Sequence, residues 1–149
     1  MGQQQLLLLV LSTVIVGLAT VAGIQAFSEN QAQATQDALT QKGVTIASDI
    51  KGLASKPQQL GGVDTSSGGD SVSEIYSALG YSSDNLKTHY DGNGDAIPAQ
   101  GAGSDATCQV NKDPVEIECK APDSPQIVTV SFNGEDVATD YSEPSSSTQ

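Results

Sequence analysis

The residues best placed to bind a metal ion form one short run, Asp91-Gly92-Asn93-Gly94-Asp95. Its side-chain oxygens at alternate positions match the start of a calcium-binding EF-hand loop. The match ends there, because the sixth position is Ala96 instead of glycine and the twelfth is Ala102 instead of glutamate. The run is also typical of a tight polar turn. Ca²⁺ is the one candidate cofactor, and its candidate ligands are Asp91, Asn93 and Asp95.

The other reactive side chains do not suggest a catalytic set. His89 is the single histidine, too few for the usual zinc site, and we predict that it lies at the surface. Glu116 and Glu118 share one face of a predicted strand, where we expect a solvated edge without the cleft that a glycosidase needs. The glycine pairs of the chain are not followed by the lysine that a phosphate-binding loop requires. We therefore expect no enzyme activity.

The two cysteines, Cys108 and Cys119, are close in the sequence, and a hairpin between them would bring the sulfur atoms together. An even, closely spaced pair in an exported domain predicts a disulfide. The alternative is two reduced, buried thiols in a cytosolic protein. A disulfide across so short a loop contributes on the order of 2–3 kcal/mol to folding in the chain-entropy description.

The chain is strongly acidic. Asp and Glu number 18 against 6 basic residues, all of them lysine, and the formal net charge is −12. Such a surface repels phosphate backbones, so we expect this chain alone to bind no nucleic acid. The acidity fits an extracellular surface and equally a salt-loving host, and composition does not separate the two.

The elements that would carry these residues begin with an apolar, charge-free run from Leu6 to Phe27, and the first charged side chain is Glu29. A helix of this length spans roughly 33 Å, about the hydrocarbon thickness of a bilayer. The run therefore either enters a membrane or is buried against copies of itself. Its predicted contact residues are Leu6, Leu7, Leu8, Leu9, Val10, Leu11, Val14, Ile15, Gly17, Leu18, Val21, Ile24 and Phe27.

The helical pattern continues past this run to about Ala54 without a proline or a turn cluster, and Pro57 ends it. Residues 28–54 carry a single apolar stripe at helical spacing. Its members are Leu39, Gly43, Ile46, Ile50 and Leu53. We expect this stripe to pack under the sheet of the same chain.

The remaining residues predict one short helix, Ser71 to Leu79, and a set of antiparallel strands. The strands are expected at Thr107–Val110, Val115–Cys119, Gln126–Phe132 and Val137–Tyr141, the last two joined at Asn133-Gly134. The predicted fold class is α+β, with a long N-terminal helix packed on a small antiparallel sheet. We divide the chain into a short leader (1–2), the helix (3–54, apolar over 3–27 and amphipathic over 28–54), a β-rich domain (55–143) and a flexible tail (144–149).

This layout resembles that of type IV pilins, in which a membrane-length apolar helix continues amphipathically and is followed by a small sheet with a C-terminal disulfide. Met1-Gly2 before Gln3 looks like a very short prepilin leader, and the glutamine-rich start is closer to the archaeal type. Two positions differ from the usual family pattern. Gln3 stands where the first mature residue is commonly aromatic, and Leu7 stands where the fifth is commonly glutamate.

The resemblance implies a structural subunit that polymerises with itself through residues 3–27 into an extracellular filament and lies in the cell membrane before assembly. Its implied partners are a prepilin peptidase, which would cut between Gly2 and Gln3, and the pilus assembly machinery. The resemblance also implies that the bond between Cys108 and Cys119 fastens the C-terminal loop to the sheet.

Two other interpretations of the N-terminus remain open. A cleaved secretory signal would need a basic segment, a shorter apolar core and a small-residue cleavage site, whereas the first cation of this chain is Lys42. A plain anchor would make the chain a membrane-anchored extracellular binding module whose Asp91–Asp95 loop holds Ca²⁺. Observing whether the chain polymerises would distinguish the filament subunit from the anchored module.

Overall fold

A computed structural model describes residues 2–66, 68–89, 92, 94–112, 114–132 and 136–142. The chain divides into two compact units, Met1–Gln33 and Ala34–Gln149. The first unit is helical throughout its described residues, and the second contains the end of the long helix, a short helix and a sheet. The predicted turn Asn133-Gly134 and the predicted tail 144–149 lie outside the described residues.

The long helix α1 runs from Gly2 to Ala54, as the apolar run and the stripe after it predict. Its buried residues all lie in the second unit, and they are Leu39, Gly43, Ile46, Ala47 and Ile50. Four of these belong to the predicted stripe, whose last member, Leu53, is half-buried. The helix ends before Pro57 because the residue preceding a proline is disfavoured in the α region.

The short helix α2, Val72–Ala78, begins and ends at signals that the sequence carries. Ser71 is its N-cap: the Ser71 hydroxyl accepts from the Glu74 backbone N–H, and the Glu74 carboxylate accepts from the Ser71 backbone N–H at 2.6 Å, which together form a capping box. That backbone N–H holds the pKa of the Glu74 carboxyl below its ordinary value, because it stabilises the charged form. Gly80 follows with a φ of +87°, the left-handed conformation that commonly ends a helix.

Within the described residues, six strands form one antiparallel sheet in the order of the sequence. They are β1 (Lys87–Thr88), β2 (Asp95–Pro98), β3 (Thr107–Asn111), β4 (Val115–Lys120), β5 (Ile127–Phe132) and β6 (Val137–Ser142). Strands β3 to β6 agree with the predicted strands, whereas no strand is predicted at β1 or β2. The α+β fold class is confirmed.

Strand β4 shows what alternation in a sequence does and does not establish. Val115, Ile117 and Cys119 are buried on one face, as predicted. Glu116 and Glu118 share the opposite face but are half-buried, and β4 lies between β3 and β5, so the predicted solvated edge is wrong. A period of two assigns side chains to faces, and it does not assign a strand to the edge or the interior of a sheet.

The predicted disulfide is confirmed, but the expectation that it fastens a C-terminal loop to the sheet is wrong, because it joins two neighbouring strands of the sheet. Cys108 of β3 stands opposite Cys119 of β4 in the strand register, and the two residues are bonded, with their Cα atoms 4.0 Å apart. Both side chains are fully buried, so the bond is part of the hydrophobic core and lies on the face of the sheet that α1 covers.

Helix α1 lies close to the sheet at Gly43. A Cβ atom on this residue would meet Val130 Cγ2 at 2.8 Å and Cys119 Sγ at 3.3 Å. Because the interior is close-packed, a larger residue would push the helix away from β4 and β5. Glycine inside a helix costs about 1 kcal/mol relative to alanine, and here this contact with the disulfide explains why the cost is tolerated.

We expect Gly43→Ala to lower the free energy of unfolding by about 1–3 kcal/mol, because overpacking outweighs the gain in helix propensity. The matched control is Gly52→Ala in the same helix, where an added Cβ meets nothing within 4 Å. The control should be neutral or stabilise by up to about 1 kcal/mol. Chemical denaturation of the full chain in detergent, followed by tyrosine fluorescence, measures both, and equal effects at the two positions would contradict the close contact.

Removing the disulfide with Cys108→Ala and Cys119→Ala together should lower the free energy of unfolding by about 2–3 kcal/mol, the contribution of a short closed loop. The same denaturation measurement applies, with chemically reduced wild type as the control that keeps both side chains. If oxidised wild type, verified by mass spectrometry, is no more stable than the double variant, the bond does not stabilise the fold.

Candidate assembly surface

The large apolar side chains of the first unit have no covering partner within the described residues. Each one from Leu6 to Phe27 is at least half exposed, from 50% for Val10 to 72% for Phe27. The exposed set is Leu6, Leu7, Leu8, Leu9, Val10, Leu11, Val14, Ile15, Val16, Leu18, Val21, Ile24 and Phe27. It contains every large residue predicted for assembly and adds Val16. A helix that is apolar on all sides belongs in apolar surroundings, so we take residues 6–27 as the candidate assembly surface.

Two polar side chains on this surface make hydrogen bonds within the helix. The Thr13 hydroxyl donates to the Val10 carbonyl at 2.8 Å, and the Thr20 hydroxyl donates to the Val16 carbonyl at 2.8 Å. Bonds of this kind let a threonine lie in apolar surroundings without an unsatisfied hydroxyl. Charge is absent as well, because no charged side chain precedes Glu29. The surface is chemically suited to a medium without water.

Two glycines leave gaps in the side-chain cover of this surface. A Cβ atom added at Gly17 or Gly23 would meet nothing within 4 Å. Small residues of this kind allow helix backbones to approach closely in apolar surroundings, where van der Waals contact drives association. That Gly17 and Gly23 contact neighbouring helices stays a prediction. The space beside each glycine that such a contact needs is open among the described residues.

By length and composition, α1 is long and apolar enough to cross a membrane, and the apolar window that meets this test is entirely exposed. A signal sequence near an N-terminus meets the same test, as does a buried core helix of a soluble protein. Because the window is exposed, it is not part of the hydrophobic core of the described residues. Its surroundings are therefore either solvent or an apolar partner from outside the chain.

His89 corrects a prediction. It is 3% exposed, so the expected surface position is wrong. Its Nδ1 lies 3.4 Å from the Thr107 hydroxyl and its Nε2 lies 3.9 Å from a carboxylate oxygen of Glu118. A hydroxyl, an imidazole and a carboxylate in this order resemble a hydrolytic triad, but Thr107 is itself 2% exposed and a substrate has no access to it. His89 instead packs against β3 and β4 at the start of a turn, and its backbone N–H donates to the Gly94 carbonyl at 3.1 Å.

Only one of the three candidate calcium ligands can be placed. Asp91 and Asn93 lie outside the described residues, and Asp95 is exposed at the start of β2. Among the described residues, no group of three or more His, Cys, Asp or Glu side chains is arranged to hold a metal ion. The calcium site stays a sequence prediction.

Tyr76 makes a link that helical periodicity does not reveal. Extending the β2–β3 register, in which Ile97 is opposite Cys108, by two residues sets Asp95 opposite Val110. The Tyr76 hydroxyl lies between these two backbones: it donates to the Asp95 carbonyl at 2.9 Å and accepts from the Val110 N–H at 3.0 Å. It takes the place of a strand-to-strand hydrogen bond and ties α2 to the sheet. Burial raises the pKa of this hydroxyl.

Compared with protein-family models, curated proteins and solved structures, the chain matches none of them. The likeness to pilins therefore rests on architecture. A long apolar N-terminal helix, an antiparallel sheet under its second half and a disulfide in that sheet are compatible with a pilin-like fold.

We expect Tyr76→Phe to lower the free energy of unfolding by about 1–3 kcal/mol at neutral pH, because a buried N–H and a carbonyl lose their partner. This loss depends on pH. The folded-state pKa of Tyr76 lies above its ordinary value of 10.0, so the contribution of the hydroxyl is complete below that pH and is lost as the pH rises through the raised value.

The measurement compares the free energy of unfolding of wild type and Tyr76→Phe from about pH 8 to about pH 11, the range in which tyrosine ionises. The difference should narrow at the upper end. Tyr141→Phe, at a side chain that is 47% exposed, is the matched control and should differ little from wild type throughout. A difference for Tyr76→Phe that stays constant over the range would contradict the buried hydroxyl bridge.

Proposed function

We propose that this chain is the structural subunit of an extracellular filament of the type IV pilus kind. It is held in the cell membrane by residues 3–27, cut between Gly2 and Gln3 by a prepilin peptidase, and polymerised through the same residues by an assembly machinery. The observation that carries the proposal is the candidate assembly surface, which is apolar on all sides and exposed in the single chain.

The energetics favour a partner that covers the whole helix. Burying one leucine or valine side chain gains about 1.5–3 kcal/mol, and this helix presents such side chains at nearly every position from Leu6 to Leu11. A bilayer covers them first, and neighbouring helices replace the lipid in the filament. Within an apolar medium the specific attraction between helices comes from close contact, for which Gly17 and Gly23 provide the space.

The second unit has the properties of a filament exterior. Its core is completed by its own part of α1, with Leu39 and Ile50 fully buried, and the disulfide joins β3 to β4. The face of its sheet that carries the disulfide is therefore covered within the unit. The acidic charge of the chain lies outside the apolar run, and like charge on neighbouring exteriors limits clumping of filaments.

The test of the proposal is electron microscopy of the surface fraction sheared from expressing cells, with mass spectrometry of the protein found there. Thin filaments composed of this chain, with Gln3 at the N-terminus, are the expected result. A chain that stays monomeric in the membrane fraction would overturn the proposal in favour of a membrane-anchored extracellular module.

We expect Gly17→Leu to reduce the yield of filaments strongly, because a leucine side chain would fill the space that a neighbouring helix needs. Gly52→Leu is the matched control: it makes the same change in the same helix, also with nothing within 4 Å of the added Cβ, but outside the assembly surface. It should assemble as wild type. Sheared filaments are quantified by immunoblot after equal membrane levels are verified, and a normal yield from Gly17→Leu would remove the close-packing role.

A further inference from the structure

The start of α1 poses an electrostatic problem for any chain cut between Gly2 and Gln3. The cut leaves a free α-amine, which is positively charged at neutral pH, at the entrance of an apolar helix. Backbone N–H groups place the positive end of the helix dipole at the same point, so a cation there is unfavourable. The first turn of α1 contains no acidic residue, which is the usual means of balancing this charge.

The nearest carboxylate of the first unit is too far away to help. Glu29 is the first acidic residue of the chain, and at 1.5 Å per residue it lies about 39 Å along the helix from Gln3. Attraction between charges is screened in water over about 8 Å at physiological salt. The position where pilins commonly carry a glutamate is Leu7. An amine buried with this helix would therefore have no counter-charge in its own unit, and burying an unpaired ion is costly.

Gln3 carries the chemistry that removes this charge. We propose that, once the cut has made it the first residue, Gln3 cyclises to pyroglutamate. The unprotonated α-amine attacks the side-chain carbonyl carbon Cδ and a Cδ–N bond forms. A proton passes from the attacking nitrogen to Nε2, the bond from Cδ to Nε2 breaks, and the side-chain nitrogen leaves as ammonia. The product is a neutral five-membered lactam. No oxidant, reductant or cofactor takes part, and Gln4 and Gln5 cannot react in this way because their backbone nitrogens are in peptide bonds.

The consequence is an apolar segment that carries no charge at either its side chains or its end, from Gln3 to Ser28. Such a segment enters a bilayer or a helix bundle without an ion to desolvate. The Gln3 side chain is exposed at the start of α1, so no packed neighbour has to move for the ring to close. This inference rests on the proposed cut, and the two are tested separately by one measurement.

The measurement is the intact mass and the N-terminal sequence of the full chain from sheared filaments or membranes. A chain that begins at Gln3, is lighter by one ammonia than the free-amine form and is blocked to Edman degradation supports the inference. A chain that begins at Gln3 with a free or methylated amine overturns the inference and leaves the cut intact. A chain that begins before Gln3 overturns both. A synthetic, isotope-labelled peptide with an N-terminal glutamine, carried through the same preparation, measures cyclisation caused by handling.

A pair of variants tests the role of the lactam. Gln3→Ala retains the free amine, and we expect sheared filament per cell to fall at least about tenfold, since an unpaired charge must be buried. Gln31→Ala removes an exposed side-chain amide from the same helix but outside residues 3–27, leaves Gln3 able to cyclise, and should assemble as wild type. Intact mass first verifies that both variants are cut. A Gln3→Ala chain that is cut and assembles normally would overturn the assigned role.

Discussion

The rest of the structure depends on one constraint: residues 6–27 form a helix with apolar side chains on every side, and no described part of the chain covers it. Hydrophobic burial is the largest favourable term in folding and association. The first unit gains little from it within the single chain, because its large apolar side chains stay exposed. Two features of the chain are consistent with this demand. Charge is excluded up to Glu29, and the hydroxyls of Thr13 and Thr20 are bonded to carbonyls of the same helix.

The second unit differs, because it has a hydrophobic core of its own. At one place in this core, Gly43 of α1 lies against Val130 and the disulfide. The bond constrains the unfolded chain, and the glycine lets the helix come close enough to bury Cys119 completely. The close packing of α1 and the covalent cross-link therefore meet at the same place, the sulfur atom of Cys119.

Much of this architecture could be predicted from the sequence because it depends on local periodicity. The helical stripe from Leu39 and the alternation in β4 each report a pattern within a few residues of chain. The features that escaped prediction depend on contacts across the fold. The burial of His89 follows from the position of β3 and β4, and the bridge at Tyr76 exists because β2 and β3 separate near Asp95. The sequence pattern of one segment does not reveal which other segment it contacts in the fold.

Three of the glycines in α1 differ in their surroundings. A glycine in a helix interior costs about 1 kcal/mol relative to alanine, and at Gly43 the packing on the sheet accounts for that cost. Gly52 lies in the last turn of the helix, where helix ends fray and the interior cost does not apply in full. Gly17 lies in the middle of the apolar surface, where an added Cβ meets nothing within 4 Å, so no packing within the described residues compensates its cost. In the proposed filament the compensating contact comes from a neighbouring helix, because a helix backbone can approach closely where a side chain is missing.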